Sequence, residues 1–538
     1  MMDRPQGRIR IEAFCTAVSR LPESRHGLVL VTGITAALMG LLFIVRWKAD
    51  LNFDGEVYLS AARKFSDGNF REGLAIYALP LYPFLISLLH KLIPDWVIAG
   101  KLLSFVLMTL TVIPLYKVSE DLFDQRAAFW AGIAYCLLPE TLLQSNSVVR
   151  DPGSFLCFAW AVYFAQKSLQ SKHCGHVAAA ALWAGGAALF RMEGLILFPV
   201  YFGVVSALTL STPGQRRDYG RMLVVWAAFF CGLAVLALAV AGERGGVFGR
   251  YNEFVAFSGG FFNLENYQRV ASQLQQMQDA ARHSIIGHHF AGIARKLMGF
   301  IYLAGVLYLW IKLLLPLNAI LLLIGAVRTR YTARHVFVAA LVICGLAGLY
   351  LFFIWHDLLL TRYLYLPALL ACPWIGSGMA RLLDFAAGRT FGKLMTACIV
   401  IAFFVTPALE FDKYFTKKDD LKSRAGGWIG KQESLQSLKI IFSDPVVAFY
   451  TGREIDFQGG GDTVLYLDPD DKKFSKAEQV ALEKNADMIV IYTRRESRND
   501  LHPFTRYKEV KEFNDKNRVI KIYCSPKCLP LLNPQQSS

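Results

Sequence analysis

The chain has 538 residues, a formal net charge of +15, and 54% hydrophobic residues. A mean hydropathy of +0.36 over that length excludes an ordinary soluble protein, and the length exceeds one ordinary soluble domain. The apolar residues come in blocks of membrane-spanning size: 222–242 holds no charged side chain, and 335–355 has only His335 at its start. About 20 apolar residues cross a bilayer core, so the chain reads as a polytopic α-helical membrane protein.

In chain order, 1–27 is basic and lacks a small-residue cleavage site beside a short apolar core. It is expected to be a cytoplasmic tail before an uncleaved anchor. About eleven spans are expected, at 28–45, 97–116, 127–143, 155–165, 177–190, 195–210, 222–242, 302–327, 335–355, 363–380 and 394–409. The stretch "PLYPFLISLLHKLIP" (80–94) is short and bracketed by prolines, which suits a helix at the interface better than a span. The loops "GQRRDYGR", "RTRYTARH" and "RLLDFAAGRTFGK" collect Lys and Arg on the side of the basic N-terminus, so that side is the cytoplasm. An odd number of spans then puts the first loop and everything beyond 410 on the other face. The loop 243–297, with "NYQRVASQLQQMQDAARHS", reads as a polar helix lying over the membrane face. It either covers the acceptor side or simply connects two spans.

From 411 the composition changes: "LKIIFSD", "ADMIVIYTR" and "NRVIKIYC" are short β-branched runs separated by polar stretches. This predicts a soluble α/β domain over 411–538, after a membrane module over 28–410. "GGG" at 459–461 neither follows a clear strand nor opens a helix, so no dinucleotide site is expected there, and no nucleic-acid partner. Most of the ten cysteines stand singly in apolar segments, as small buried thiols do. Cys524 and Cys528 in "CSPKC" form one local pair. It is open to a disulfide in an oxidising compartment or to half of a metal site, for which no second Cys/His cluster exists.

Several ionisable residues fall at the outer ends of the expected spans. Asp54 and Glu56, then Arg63 and Lys64, lie in "LNFDGEVYLSAARKF". Arg150 and Asp151 lie in "SVVRDPGSF", Arg191 and Glu193 in "RMEG", and His356, Asp357, Arg362 and Tyr363 in "WHDLLLTRYLYLP". Charge at that depth is costly to insert and marks functional candidates. A plain structural role stands beside each: Arg191 can snorkel to the interface, Arg362 can cap a helix or pair with Asp357, Asp151 before Pro152 is a helix-start signal, and Glu56 can orient Asp54 or bind a basic neighbour. Asp54 has the weakest such role, because the amphipathic "VYLSAARKF" after it can hold a carboxylate against the membrane surface. As a set, carboxylates and arginines at one depth suggest a pocket for an anionic group plus a base. The arginine fork suits phosphate, and a carboxylate can take a proton from an acceptor hydroxyl.

The first loop "FDGEVYLSAARKFSDGNF…LPLYPFLISLLHKL" and the turns "RDPGSF", "FRMEGLILFP" and "TRYLYLPALL", in that order, resemble GT-C glycosyltransferases over about residues 28–410. The resemblance is to the branch of the protein O-mannosyltransferases and the lipid A aminoarabinose transferase. It implies an inverting enzyme that moves a sugar from a polyprenyl- or dolichyl-phosphate carrier to a lipid, glycan or protein acceptor on the non-cytoplasmic face. By resemblance Asp54 is the general base, Asp151 a second acidic residue near the acceptor, and Arg191 and Arg362 ligands of the donor phosphate. Arg150 and Tyr363 join the phosphate group, Glu56 the catalytic one, and Arg63, Lys64, Glu193, His356 and Asp357 are acceptor-side or secondary candidates. "DGE" stands where relatives often have adjacent Asp-Glu, so an inserted Gly changes where Glu56 points. No cofactor is required, since two arginines suffice for a phosphate leaving group; a divalent cation on the D-x-E pair is the alternative. The competing functions are a flippase or transporter, or a ligase, handling diphosphate-linked oligosaccharides, or a scaffold acting through 411–538. No asparagine opens an Asn-x-Ser/Thr sequon, so the expected home is a bacterial inner membrane, with the site and the C-terminal domain periplasmic.

Overall fold

The computed structural model describes residues 26–47, 51–242, 264–280, 285–387, 392–415, 420–435, 437–453, 463–464, 475–494, 504–515 and 518–532. The tail 1–25 and the glycine run 459–461 lie outside the described residues. The membrane module is built from α1 (Gly27–Arg46), α2 (Phe53–Ser66), α3 (Phe70–Ile76), α4 (Leu81–His90), α5 (Trp96–Leu122), α6 (Gln125–Leu137), α7 (Pro139–Ser145), α8 (Asp151–Ser171), α9 (Cys174–Phe190), α10 (Leu197–Ser211) and α11 (Arg216–Gly242). It continues with α12 (Glu265–Ala280), α13 (Ile285–Lys296), α14 (Met298–Leu314), α15 (Pro316–Val327), α16 (Ala333–His356), α17 (Tyr365–Ala387) and α18 (Gly392–Phe415).

All eleven expected runs fall on helix, but two are not continuous spans. The run 127–143 breaks at Leu138 (ψ 127°), and 302–327 breaks at Leu315 (φ 72°, ψ 145°). Both residues precede a proline, whose ring disfavours the α conformation in the residue before it; apolarity hid both breaks in the sequence. Among the described residues six helices are long and apolar enough to cross a membrane, or seven if α13 and α14, bent by 72°, make one span, so the expected eleven spans are not established. Helix α4, at 10 residues, is too short for a core of about 30 Å. It packs instead on α2 and α5, with Tyr82 and Ile86 buried.

Close backbone contacts set the positions of the late helices. A Cβ on Gly378 would lie 1.9 Å from the Leu321 carbonyl oxygen, and one on Gly325 would lie 2.0 Å from that of Trp374. On the other side of α17, a Cβ on Gly376 would lie 2.1 Å from the Ala127 oxygen. Helix α17 is thus clamped between α15 and α6 with no room for side chains. Gly378→Ala is expected to lower stability by about 1–3 kcal/mol through overpacking, read as a drop in the melting temperature of the detergent-solubilised protein.

Beyond α18 come α19 (Leu421–Gly430), β1 (Ile440–Phe442), α20 (Pro445–Tyr450), β2 (Thr463–Val464), α21 (Ser475–Glu483), β3 (Met488–Arg494), β4 (Lys508–Asn514) and β5 (Arg518–Cys524). The strands form one sheet in the order β2-β1-β3-β5-β4. β1 runs parallel to β2 and β3, and β5 antiparallel to β3 and β4. The three β-branched runs are β1, β3 and β5, the inner strands, which explains their near-continuous apolarity. Their core includes Ile440, Phe442, Val490, Ile520 and Ile522. The buried Cys524 and Cys528 sulfurs lie 2.7 Å apart at the end of β5.

The sheet domain is joined to the first loop. Val446 and Phe449 of α20 share one apolar cluster with Leu51, Tyr58 and Leu59. The Tyr450 hydroxyl accepts from the Leu51 backbone N–H at 3.0 Å, and the Arg63 guanidinium carbon lies 4.2 Å from the centre of the Phe449 ring.

Candidate active site

Four loops converge at one end of the bundle. Asp54 lies in the first turn of α2, where a carboxylate gains from the helix dipole. Asn52, just before it, binds the backbone of Val148 twice: its amide donates to the carbonyl and its oxygen accepts from the N–H, each at 3.0 Å. This ties the start of α2 to the turn that leads into Asp151 and α8. Opposite, α16 ends at Asp357 in a left-handed conformation (φ 52°), and a 3-10 turn, Thr361–Leu364, presents Arg362 and Tyr363. The fourth loop joins α9 to a 3-10 turn, Met192–Ile196, through the extended Arg191. That turn folds back so tightly that a Cβ on Gly194 would lie 2.7 Å from the Ala188 nitrogen.

These turns make two charge groups. Arg362 donates to Asp54 in an ion pair, with both side chains about a third exposed. Arg191, buried, is ion-paired to the buried Asp151 and to Glu193, donating to Glu193 Oε2 through Nε at 3.2 Å. Tyr363 joins the groups: the guanidinium carbons of Arg191 and Arg362 each lie 5.3 Å from its ring centre, within cation–π range. Arg150 lies 5.4 Å from the Tyr77 ring, and Tyr77 and Tyr82 meet Tyr58 edge to face. Asp54, Asp151, Arg150, Arg191, Glu193, Arg362 and Tyr363 therefore form one neighbourhood, in which three carboxylates meet three arginines and Arg191 and Arg362 make the ion pairs.

The other candidates go elsewhere. Arg63 and Lys64 sit in the last turn of α2, some 13 Å along the axis from Asp54 at 1.5 Å per residue. There Lys64 pairs with Glu72 at 3.0 Å, and Arg63 faces α20. Asp357 accepts from the Tyr302 hydroxyl at 2.9 Å. His356 stacks on Phe352 at 4.3 Å, and Phe352 touches Tyr363 edge to face, so this pair borders the site. Asp357 does not pair with Arg362. Asp151 does open α8, with Pro152 in the first turn, but its carboxylate makes no cap hydrogen bond and is engaged by Arg191 instead.

Glu56 is fully buried and faces away from the Asp54 pair. Its Oε1 accepts from Ser60 at 2.7 Å, and its charged neighbours are Arg63 and Asp444 of the sheet domain. Asp54 and Glu56 thus do not converge on one point, and the D-x-E pair does not fit a shared cation. Among the described residues no group of three or more His, Cys, Asp or Glu is placed to hold a metal ion. Burial pushes the Glu56 carboxyl up to about 7. A carboxyl whose pKa is raised by folding binds its proton more tightly in the folded state, so its charge counts against stability as pH rises from the ordinary carboxylate range through 7. Glu56→Gln is expected to remove that slope and to make the protein more stable at pH 8 by up to about 3 kcal/mol, with little change at pH 4. Parallel melts of both proteins across that window check it.

One group carries no sequence motif. Glu140, Gln144 and Asn146, inside or just after α7, are buried, and Glu140 feels the charges of Asp151 and Arg362. The only signal was a polar cluster, "ETLLQSNS", next to an otherwise apolar run.

Residues 78–240, which include Arg150, Asp151, Arg191 and Glu193, match the family model described as dolichyl-phosphate-mannose-protein mannosyltransferase. No curated protein matches the sequence significantly. Among solved structures, the Archaeoglobus fulgidus oligosaccharyltransferase in complex with zinc and sulfate is 14% identical, with a TM-score of 0.56 over 86% of this chain and 67% of that one. The same organism's oligosaccharyltransferase AglB, solved with an inhibitory peptide and a dolichol-phosphate, is 12% identical, with a TM-score of 0.53 over 87% and 70%. ArnT from Cupriavidus metallidurans, in the apo state, is 14% identical, with a TM-score of 0.51 over 92% and 97%. Identities this low speak for the fold alone. The family model covers under a third of the chain, so the chain is similar to the protein O-mannosyltransferase family over that stretch and shares the fold of these solved transferases.

Proposed function

We propose that the chain is an inverting glycosyltransferase that moves a sugar from a polyprenyl-phosphate carrier to a hydroxyl of a lipid, glycan or protein at the periplasmic face of a bacterial inner membrane. The observation that carries this is the Asp54–Arg362 pair beside an Arg191 held by two carboxylates: a carboxylate and two guanidinium groups in one neighbourhood, which suits a base and two phosphate ligands. Asp54 accepts the proton of the acceptor hydroxyl as its oxygen attacks the anomeric carbon from the face opposite the phosphate. The bond from that carbon to the phosphate oxygen breaks, and its electron pair leaves with the polyprenyl phosphate. That leaving group is an anion from the start, so it needs fixed positive charge rather than a proton. Arg362 and Arg191 supply it, Arg150 adds to it, and Tyr363 sets their spacing. No metal is needed in this scheme.

The Asp54–Arg362 pair adds an order of events to this reading. Arg362 engages Asp54 until a donor phosphate competes for its fork, which frees the carboxylate to act as base. The AglB structure with dolichol-phosphate and the dolichyl-phosphate sugar in the family's description support a lipid monophosphate as carrier. Native mass spectrometry of lipids co-purifying with the protein tests the proposal. A polyprenyl monophosphate, bare or carrying a sugar, is expected. A diphosphate-linked oligosaccharide would overturn it in favour of a flippase or ligase.

A further inference from the structure

Helix α7 exists as a separate turn because Pro139 restarts the chain after the extended Leu138. It is pinned on both sides of the site. Thr141 Oγ1 meets the hydroxyl of Tyr365, just after Arg362 and Tyr363, at 2.5 Å, and Asn52, two residues before Asp54, holds Val148, just after α7. Within this short segment Glu140, Gln144 and Asn146 are each at least nine-tenths buried. Gln144 uses its amide nitrogen on Glu140 Oε1 at 3.1 Å, while Gln144 Oε1 and Asn146 Oδ1 accept no hydrogen bond from the protein. Neighbouring Ser145 is satisfied by the Leu142 carbonyl at 2.8 Å, so the unmet groups of this segment are acceptors, while Arg362 Nε is an unmet donor of the arginine group.

Buried acceptors without donors are costly and rare in folded proteins, and two of them beside a carboxylate point to donors brought by a ligand. The parts of a polyprenyl-phosphate sugar differ sharply in this respect. Its tail has no polar hydrogen, and its phosphate, a diester, has acceptors only. Its sugar carries several O–H donors. We propose that Glu140, Gln144 and Asn146 form the subsite for the donor's sugar hydroxyls, next to the arginines that take its phosphate. This rests on the donor class proposed above.

Binding without any acceptor present isolates the subsite. The probes are undecaprenyl phosphate, bare and carrying mannose, glucose or galactose, on the wild type, Gln144→Met and Asn146→Leu. In the wild type at least one of the three sugars is expected to tighten binding by about tenfold or more over the bare lipid, as one or two buried hydrogen bonds would. Each substitution is expected to remove most of that gain, with affinity for the bare lipid held within about twofold. A wild type that binds the bare lipid and gains nothing from any sugar overturns the subsite but not the donor class. Substitutions that weaken bare and sugar-bearing lipid equally overturn it as well. A wild type that binds neither overturns the donor class, and the subsite with it. Should the variants fail to fold, deoxy analogues of the tightest-binding sugar on the wild type make the same test: loss of the gain supports the subsite, and its retention in every analogue overturns it.

Discussion

Asp54→Asn is expected to cut turnover by about 10²–10⁴-fold, the usual worth of a positioned general base, while the protein still folds and still binds the donor. The substitution keeps the shape of the side chain and removes its basicity. It also dissolves the ion pair that holds Arg362, so donor affinity is expected to stay level or rise. Loss of turnover with retained or tighter donor binding is the signature of a base held in check by a phosphate ligand. It is measured as single-turnover transfer from a labelled polyprenyl-phosphate sugar, beside equilibrium binding of the bare lipid. An unchanged rate would remove Asp54 from the chemistry, and a matched fall in rate and donor affinity would make it a binding residue instead. Glu56→Gln is the internal control, because that carboxyl faces Ser60, Arg63 and Asp444 rather than Arg362.

Arg191→Ala is expected to weaken donor binding by about 10–100-fold, the worth of one or two charge-assisted hydrogen bonds. It carries a second effect, since Arg191 is the shared partner of Asp151 and Glu193. Removing it leaves Asp151, which is 2% exposed, as an unpaired buried carboxylate, at a stability cost of about 3–5 kcal/mol. The two effects separate in a double variant. Arg191→Ala with Asp151→Asn is expected to recover most of the lost stability, because the unpaired charge is gone, and none of the lost donor affinity. Arg191→Lys keeps a charge but not the bidentate fork and is expected to fall between wild type and Arg191→Ala in binding. Melting temperatures and donor dissociation constants for the four proteins make the comparison. Unchanged donor affinity in Arg191→Ala would leave Arg191 as a structural clamp on Asp151.

What the sequence determined was local. Hydrophobic length marks helices that cross a bilayer because each residue's transfer free energy depends little on its partners, and every expected run is helical. The inner strands were legible for the same reason. The charged residues that gather at the candidate site were legible as a set, because charge at the ends of apolar runs stands out against its background. Even the two helix breaks were written in the chain as Pro139 and Pro316, though hydropathy masked them. The tertiary structure decided which charges meet. Asp54 and Glu56 are two residues apart, so about 200° apart around α2, and only the packing of that helix turns one to Arg362 and the other to the sheet domain. Asp54 and Arg362 are 308 positions apart, and Asp151 and Arg191 are 40 apart. Such pairs form because glycine-tight contacts among α6, α15 and α17 and the Asn52–Val148 clasp bring separate loops to one point. The same packing buried Gln144 and Asn146 without donors. Long-range contacts of this kind leave no local period or propensity in the chain, so they can be read only once the helices are assembled.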